Sequence, residues 1–191
     1  MNVIEQALQF ALRQGADRDV PFSRDDVVYS REFRDICRGN ACGKYGACYR
    51  CPPDEGDIDA LMAAARAHPA GVIYQTIVSI EESFDIEGML EGGLAHAGCS
   101  QRIRRALAEA ELPPALHLSV GGCRLCPRCA REDHQPCRFP GASLSSLEAY
   151  GIDVYRTAHN VGLHYQNGPN TVTYFGILFF DDAPDTPVDR P

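Results

Sequence analysis

No apolar run in this chain approaches the ~20 residues needed to cross a bilayer, so no membrane partner is expected. Positive charge is scarce too: 18 Lys and Arg stand against 26 Asp and Glu, for a net charge of −8. A nucleic-acid binder needs a basic surface, so no nucleic-acid partner is expected either. Met1 to Phe10 carry no basic leader and include Glu5. They read as the start of an amphipathic helix, not a secretion signal, and the expected compartment is the cytoplasm. The chain also contains no G-x-G-x-x-G, P-loop, G-x-S-x-G or C-x3-C-x2-C pattern. No catalytic constellation emerges without them, and the expectation leans towards an electron carrier or accessory protein over an enzyme.

The remaining composition is ordinary. At 191 residues, 45% hydrophobic and 23% charged, the chain can bury a core without relying on cross-links. The outlier is cysteine, present nine times. Eight form two tight sets: Cys37, Cys42, Cys48 and Cys51, spaced C-x4-C-x5-C-x2-C-P-P, and Cys123, Cys126, Cys129 and Cys137, spaced C-x2-C-x2-C-x7-C. In a reducing compartment, clustered cysteines more often bind metal than form disulfides. Both sets lie among glycine, proline and arginine, surroundings unlike those of buried core thiols. Cys99 stands alone and reads as a small buried hydrophobe.

The expected fold class is α+β, with a central sheet of three to four strands, flanking helices and two cysteine-rich loops. Asn2 caps a helix to about Gln14, a short extended piece covers Val27 to Tyr29, and Arg31 to Ile36 leads into the first cysteine. Asp57 caps a helix ending near Ala67, and Gly71 to Ile80 is β-branched enough for a strand. Phe84 to Glu111 reads as a helix despite four glycines. Leu116 to Val120 alternates as a half-buried strand leading into the second set. Ser145 to Tyr150 and Asp153 to Asn160 are short helix candidates, and Val172 to Phe180, apolar almost throughout, is the expected central strand. One metal-binding domain is expected over residues 1–180, with a loose acidic tail over 181–191.

Four thiolates in one place repel one another and call for a cation. Structural zinc sites use paired C-x2-4-C knuckles; the first set offers one tight knuckle, Cys48-x2-Cys51, with looser spacing before it. The C-x2-C-x2-C run of the second set reaches three corners of a cubane cluster. Proline follows Cys51 at once and follows Cys137 within three residues, as in ferredoxin runs. The expected cofactors are therefore two [4Fe–4S] clusters, with two Zn²⁺ ions as the alternative. Each set is long enough in its loops to serve its own centre. Glycines at 39, 43, 46, 121 and 122 would let backbone N–H groups approach the sulfurs. Eight of the 18 basic residues lie within four positions of a set cysteine, namely Arg34, Arg38, Lys44, Arg50, Arg124, Arg128, Arg131 and Arg138. They would raise a cluster's potential or dock an acidic redox partner; the blander account is a solvated loop surface. His134 is a possible substitute ligand, and His159 and His164 possible neighbours, though exposed loop histidines account for all three. An adaptor with two structural zinc ions, or an enzyme with an open cluster site involving His134 or Cys99, stays as an alternative.

Taken together, CGKYGACYRCPP (42–53), GGCRLCPRC (121–129), CRFP (137–140) and SLEAYGIDV (146–154) resemble the predicted metal-binding protein family, domain of unknown function 2284. The resemblance spans about residues 30–180 and implies cysteine-ligated centres, iron–sulfur in character, with no reaction attached. Glu148 and Asp153 match the family pattern, a helix cap or a supporting hydrogen bond being the blander role for each. Where that pattern has Arg-Pro before the glutamate stretch, this chain has Leu144-Ser145.

Overall fold

The computed structural model describes residues 2–181. Asn2 caps helix α1 (Val3–Arg13): its side chain accepts from the Glu5 N–H, and the Glu5 carboxylate accepts from the Asn2 N–H. This reciprocal cap satisfies donors that the first turn leaves open. Strand β1 (Arg18–Ser23) follows, then helix α2 (Glu32–Arg38), helix α3 (Ile58–Ala67) capped by Asp57, strand β2 (Ala70–Ser79) and the long helix α4 (Ile86–Glu109). Strands β3 (Leu116–Ser119) and β4 (Ser145–Ser146), helix α5 (Val154–Asn160) capped by Asp153, and strand β5 (Thr171–Phe180) complete the order, with short 3₁₀ turns between.

The five strands form one mixed sheet in the order β1-β2-β5-β3-β4, giving the expected α+β class with one strand more than anticipated. β2 runs antiparallel to β5 over ten residue pairs, from Ala70↔Phe180 to Ser79↔Thr171. β5 is central, as its apolar run implies. Alternation along these strands feeds two cores. Ile73, Phe175, Ile177 and Phe179 face one side, with Phe22, Leu118, Leu147, Ile152 and Ala158. Val72, Tyr74, Leu178 and Phe180 face the other, against Ile4, Ala7 and Ala11 of α1 and Ile103 and Leu107 of α4. Each fully buried large side chain contributes roughly 1.5–3 kcal/mol.

Register also explains a glycine inside the central strand. Gly176 lies opposite Tyr74, and a Cβ built there would come 2.1 Å from the Tyr74 ring. The ring occupies the space that any side chain at 176 would need.

Three local expectations are corrected. The first extended segment is Arg18–Ser23 and not 27–29, where Tyr29 makes only an isolated bridge to Ile152. Pro21 marks Arg18–Ser23 as edge-compatible, since only an edge strand tolerates a missing N–H. Cys37 lies on helix α2, not in an irregular loop. Residues 145–150 form a two-residue strand parallel to β3 and then a 3₁₀ turn. Pairing of Ser145 and Ser146 with Leu118 and Ser119 outweighs the weak helical preference there. The tail expected over 181–191 lies outside the described residues except for Asp181, whose carboxylate is 2.7 Å from His68 Nδ1.

Candidate metal centre

Both cysteine segments meet near the β3–β4 end of the sheet. β3 ends at Ser119 and runs through Val120, Gly121 and Gly122 into Cys123, while α2 and the turns after it carry the first set. Side chains tie the two segments together. Arg131 Nε lies 2.7 Å from Asp54 Oδ1, in a pair only 25% and 20% exposed. Tyr49 donates its hydroxyl to the Gln135 carbonyl at 2.8 Å. Arg50 donates to Ser143 Oγ at 2.7 Å and to the Pro140 carbonyl at 3.0 Å, and it faces the Glu55 carboxylate at 3.6 Å. Glu55, its side chain 4% exposed, also accepts from Ser145 Oγ at 2.5 Å.

Two recesses result. Cys37, Cys42 and Cys51 line a cavity of about 320 Å³ together with Lys44, Glu148 and the Gly121-Gly122 backbone. Gly122 is the close approach here: a Cβ on it would sit 3.2 Å from Cys51 Sγ and 3.1 Å from the Lys44 stem. Cys123, Cys126, Cys129 and Cys137 surround the second recess, a narrow one of about 20 Å³. That is room for one water-sized body, so the loop must part to take a cubane. Among the described residues, no three His, Cys, Asp or Glu side chains converge as one ion would require, so a single ion also calls for adjustment.

Cys48, 1% exposed, lies between the sets. The thiols of Cys51 and Cys129 and the backbone of Arg50 and Cys123 lie close enough to its sulfur to stabilise the thiolate. The Cys51 contact leads in lowering the Cys48 pKa, and it raises that of Cys51, so the pair gives up one proton readily and holds the second. Burial raises the Cys37 thiol, with Glu148 and Cys42 adding to the effect and Arg34 opposing it. Burial likewise raises Cys123, although its sulfur accepts from the Leu125 N–H. Backbone donors thus reach the sulfurs of Cys48 and Cys123, and neighbouring thiols hinder one another's ionisation. Such a donor set suits a cation or a cationic cluster core.

The other residues singled out in the sequence fall elsewhere. Cys99 is 2% exposed in the core beside α1, its thiol raised by burial. His134 ends a 3₁₀ turn in a left-handed conformation and contacts Arg131 at 3.4 Å. His159 and His164 are exposed and line neither recess. Asp153 caps α5, accepting from the Arg156 N–H at 2.9 Å. Of the basic residues near the cysteines, Arg38 pairs with Asp35, and Arg128 with Glu132 and Asp133. Buried Arg34 donates to the Ala149 carbonyl. With Arg50 facing Glu55 and Arg131 paired to Asp54, four of the eight basic residues near the cysteines are matched by carboxylates.

Sequence reasoning did not find the polar cluster under α4. Tyr74 donates to Ser100 Oγ and lies 2.8 Å from His117 Nε2, while His96 bridges Thr76 Oγ1 and the Phe175 carbonyl. Burial lowers the pKa of His96 to about 4 and that of His117 to about 3. These residues stand singly in the sequence, and only the sheet and α4 bring them together.

The fold and site define an α+β protein whose two cysteine segments close on each other at one end of a mixed sheet. The chain belongs to the family described as "predicted metal-binding protein", domain of unknown function 2284, whose model matches residues 21–180. Among curated proteins and solved structures, none matches. Among the described residues, no helix is long and apolar enough to cross a membrane.

Proposed function

We propose that this protein holds two [4Fe–4S] centres, one at each cysteine set, and carries single electrons to or from a partner enzyme. The observation that carries the reading is that two recesses, one lined by Cys37, Cys42 and Cys51 and the other by Cys123, Cys126, Cys129 and Cys137, lie side by side at one end of the sheet. The C-x2-C-x2-C run supports the cluster over zinc at the second set. A bound cluster would supply one-electron transfer. The chain's own contribution is to hold the two loops against each other through Arg50, Arg131 and Tyr49. The redox partner would meet the exposed arginines of the second loop, Arg124 and Arg138.

The test is the absorbance and the metal-to-sulfide content of protein purified under nitrogen. About eight iron and eight sulfide per chain are expected for two cubanes. Two zinc and no sulfide, in a colourless protein that chelators unfold, would instead establish an adaptor with structural zinc sites.

A further inference from the structure

The four cysteines of the first set do not share one surface. Cys37, Cys42 and Cys51 face the cavity of about 320 Å³, and Cys48 is not part of its wall. Cys48 is instead buried away from it, 1% exposed. On the cavity wall the group that joins the three thiols is a carboxylate. Glu148 is held there by the 3₁₀ turn after β4 and shares the wall with Cys37. The rest of that wall is mainly apolar, with Phe33, Ile36 and Val120.

We infer that the first centre is held by three thiolates, those of Cys37, Cys42 and Cys51, with Glu148 as an exchangeable oxygen donor in place of a fourth thiol, and that the cavity admits a small, largely apolar molecule bearing one donor atom. The inference rests on the cluster reading above and deepens it. The second set would relay electrons, and the first would be where a ligand meets the iron. Cubanes with four cysteines keep their irons closed to ligands, whereas a carboxylate is a weaker partner for iron in such a cluster than thiolate, the soft ligand that selects it. An iron without a thiol is the one a mild oxidant removes.

The experiment uses the full chain, reconstituted without oxygen, as wild type, Cys48→Ser, Cys48→Ala, Cys51→Ser and Glu148→Gln. Iron and sulfide are counted, and the three-iron form is measured by electron paramagnetic resonance after mild ferricyanide oxidation. Wild type and both Cys48 variants should carry the same load, and Cys51→Ser about half. Wild type should give one three-iron centre per chain. Glu148→Gln should keep the load but release that iron several-fold faster, and millimolar imidazole should alter the spectrum of one centre only. Loss of half the iron from folded Cys48→Ser or Cys48→Ala would overturn the three-thiolate assignment while leaving two clusters standing. An absent three-iron signal, unchanged release from Glu148→Gln or no response to imidazole would also overturn it, and these need no Cys48 variant to fold. Zinc without sulfide in the wild type would remove the cluster reading and this inference together, a result unlike any of the others.

Discussion

The thiol of Cys48, from the first cysteine set, lies beside that of Cys129, from the second, 81 positions along the chain. The contact makes one unit of two loops that the sequence presents as separate. Disturbing either loop should therefore be felt by the other.

Replacing a ligand thiol should cost a whole centre. On the cluster reading proposed above, Cys51→Ser and Cys129→Ser each put a poor ligand into a loop held by its cluster, and each should lower iron content by about half. Cys99→Ser should leave iron unchanged, because Cys99 is buried in the core beside α1. Its cost is that of burying a hydroxyl, about 1–3 kcal/mol, read from urea unfolding. Iron loss on Cys99→Ser would show that Cys99 is a ligand.

Arg50 spans both loops through Ser143, Pro140 and Glu55. Lysine cannot reproduce that forked geometry. Arg50→Lys should lower stability by about 1–3 kcal/mol, the cost of leaving the buried Glu55 carboxylate short of a donor. It should also speed chelator attack at the second set. A variant as stable and as slow to lose metal as wild type would mean the fork is dispensable.

Gly176→Ala directs a methyl group at the Tyr74 ring from 2.1 Å. The strand cannot yield easily because β5 is paired on both edges, so overpacking should cost at least about 1–3 kcal/mol. Tyr74→Phe keeps the ring but strips the hydroxyl from Ser100 and His117, and about 1–3 kcal/mol should be lost. Thermal unfolding of the two variants checks both, and neither should change which cysteines bind metal.

Stability should fall on mild acidification. His96 and His117 are neutral in the fold, with pKa values lowered by burial to about 4 and about 3 from an ordinary 6.5. Between those values and 6.5 the unfolded chain binds more protons than the fold. The full contribution is thus present above pH 6.5 and drains away as the pH falls towards 4 and 3. The loss should amount to a few kcal/mol, measurable by denaturation at pH 7 and pH 5. In a His96→Gln, His117→Gln variant that slope should flatten.

Local chemistry was enough for much of the secondary structure. Asn2 with Glu5, Asp57 and Asp153 announce helix starts through short-range hydrogen bonds, and all three caps form. The apolar run of 172–180 marks the central strand because only a strand covered on both faces can bury every residue. Strand β1 was hidden by Pro21 and its charged start, and β4 by being two residues long. Both exist because a neighbouring strand supplies their hydrogen bonds, which no local pattern encodes.

The cysteine spacing by itself determined that two thiol-rich segments exist and that they suit metal binding. Tertiary structure alone decided how they meet: that Arg50 and Arg131 bind one loop to the other, that Cys48 turns towards Cys129, and that Glu148 reaches the cavity of Cys37, Cys42 and Cys51. Spacing constrains only how far apart residues of one loop can lie. Contacts between residues 48 and 129, or 148 and 37, depend on tertiary placement: the parallel β3 and β4 lead into the second set and into Glu148 at the same end, while α2 and the turns after it bring the first set there.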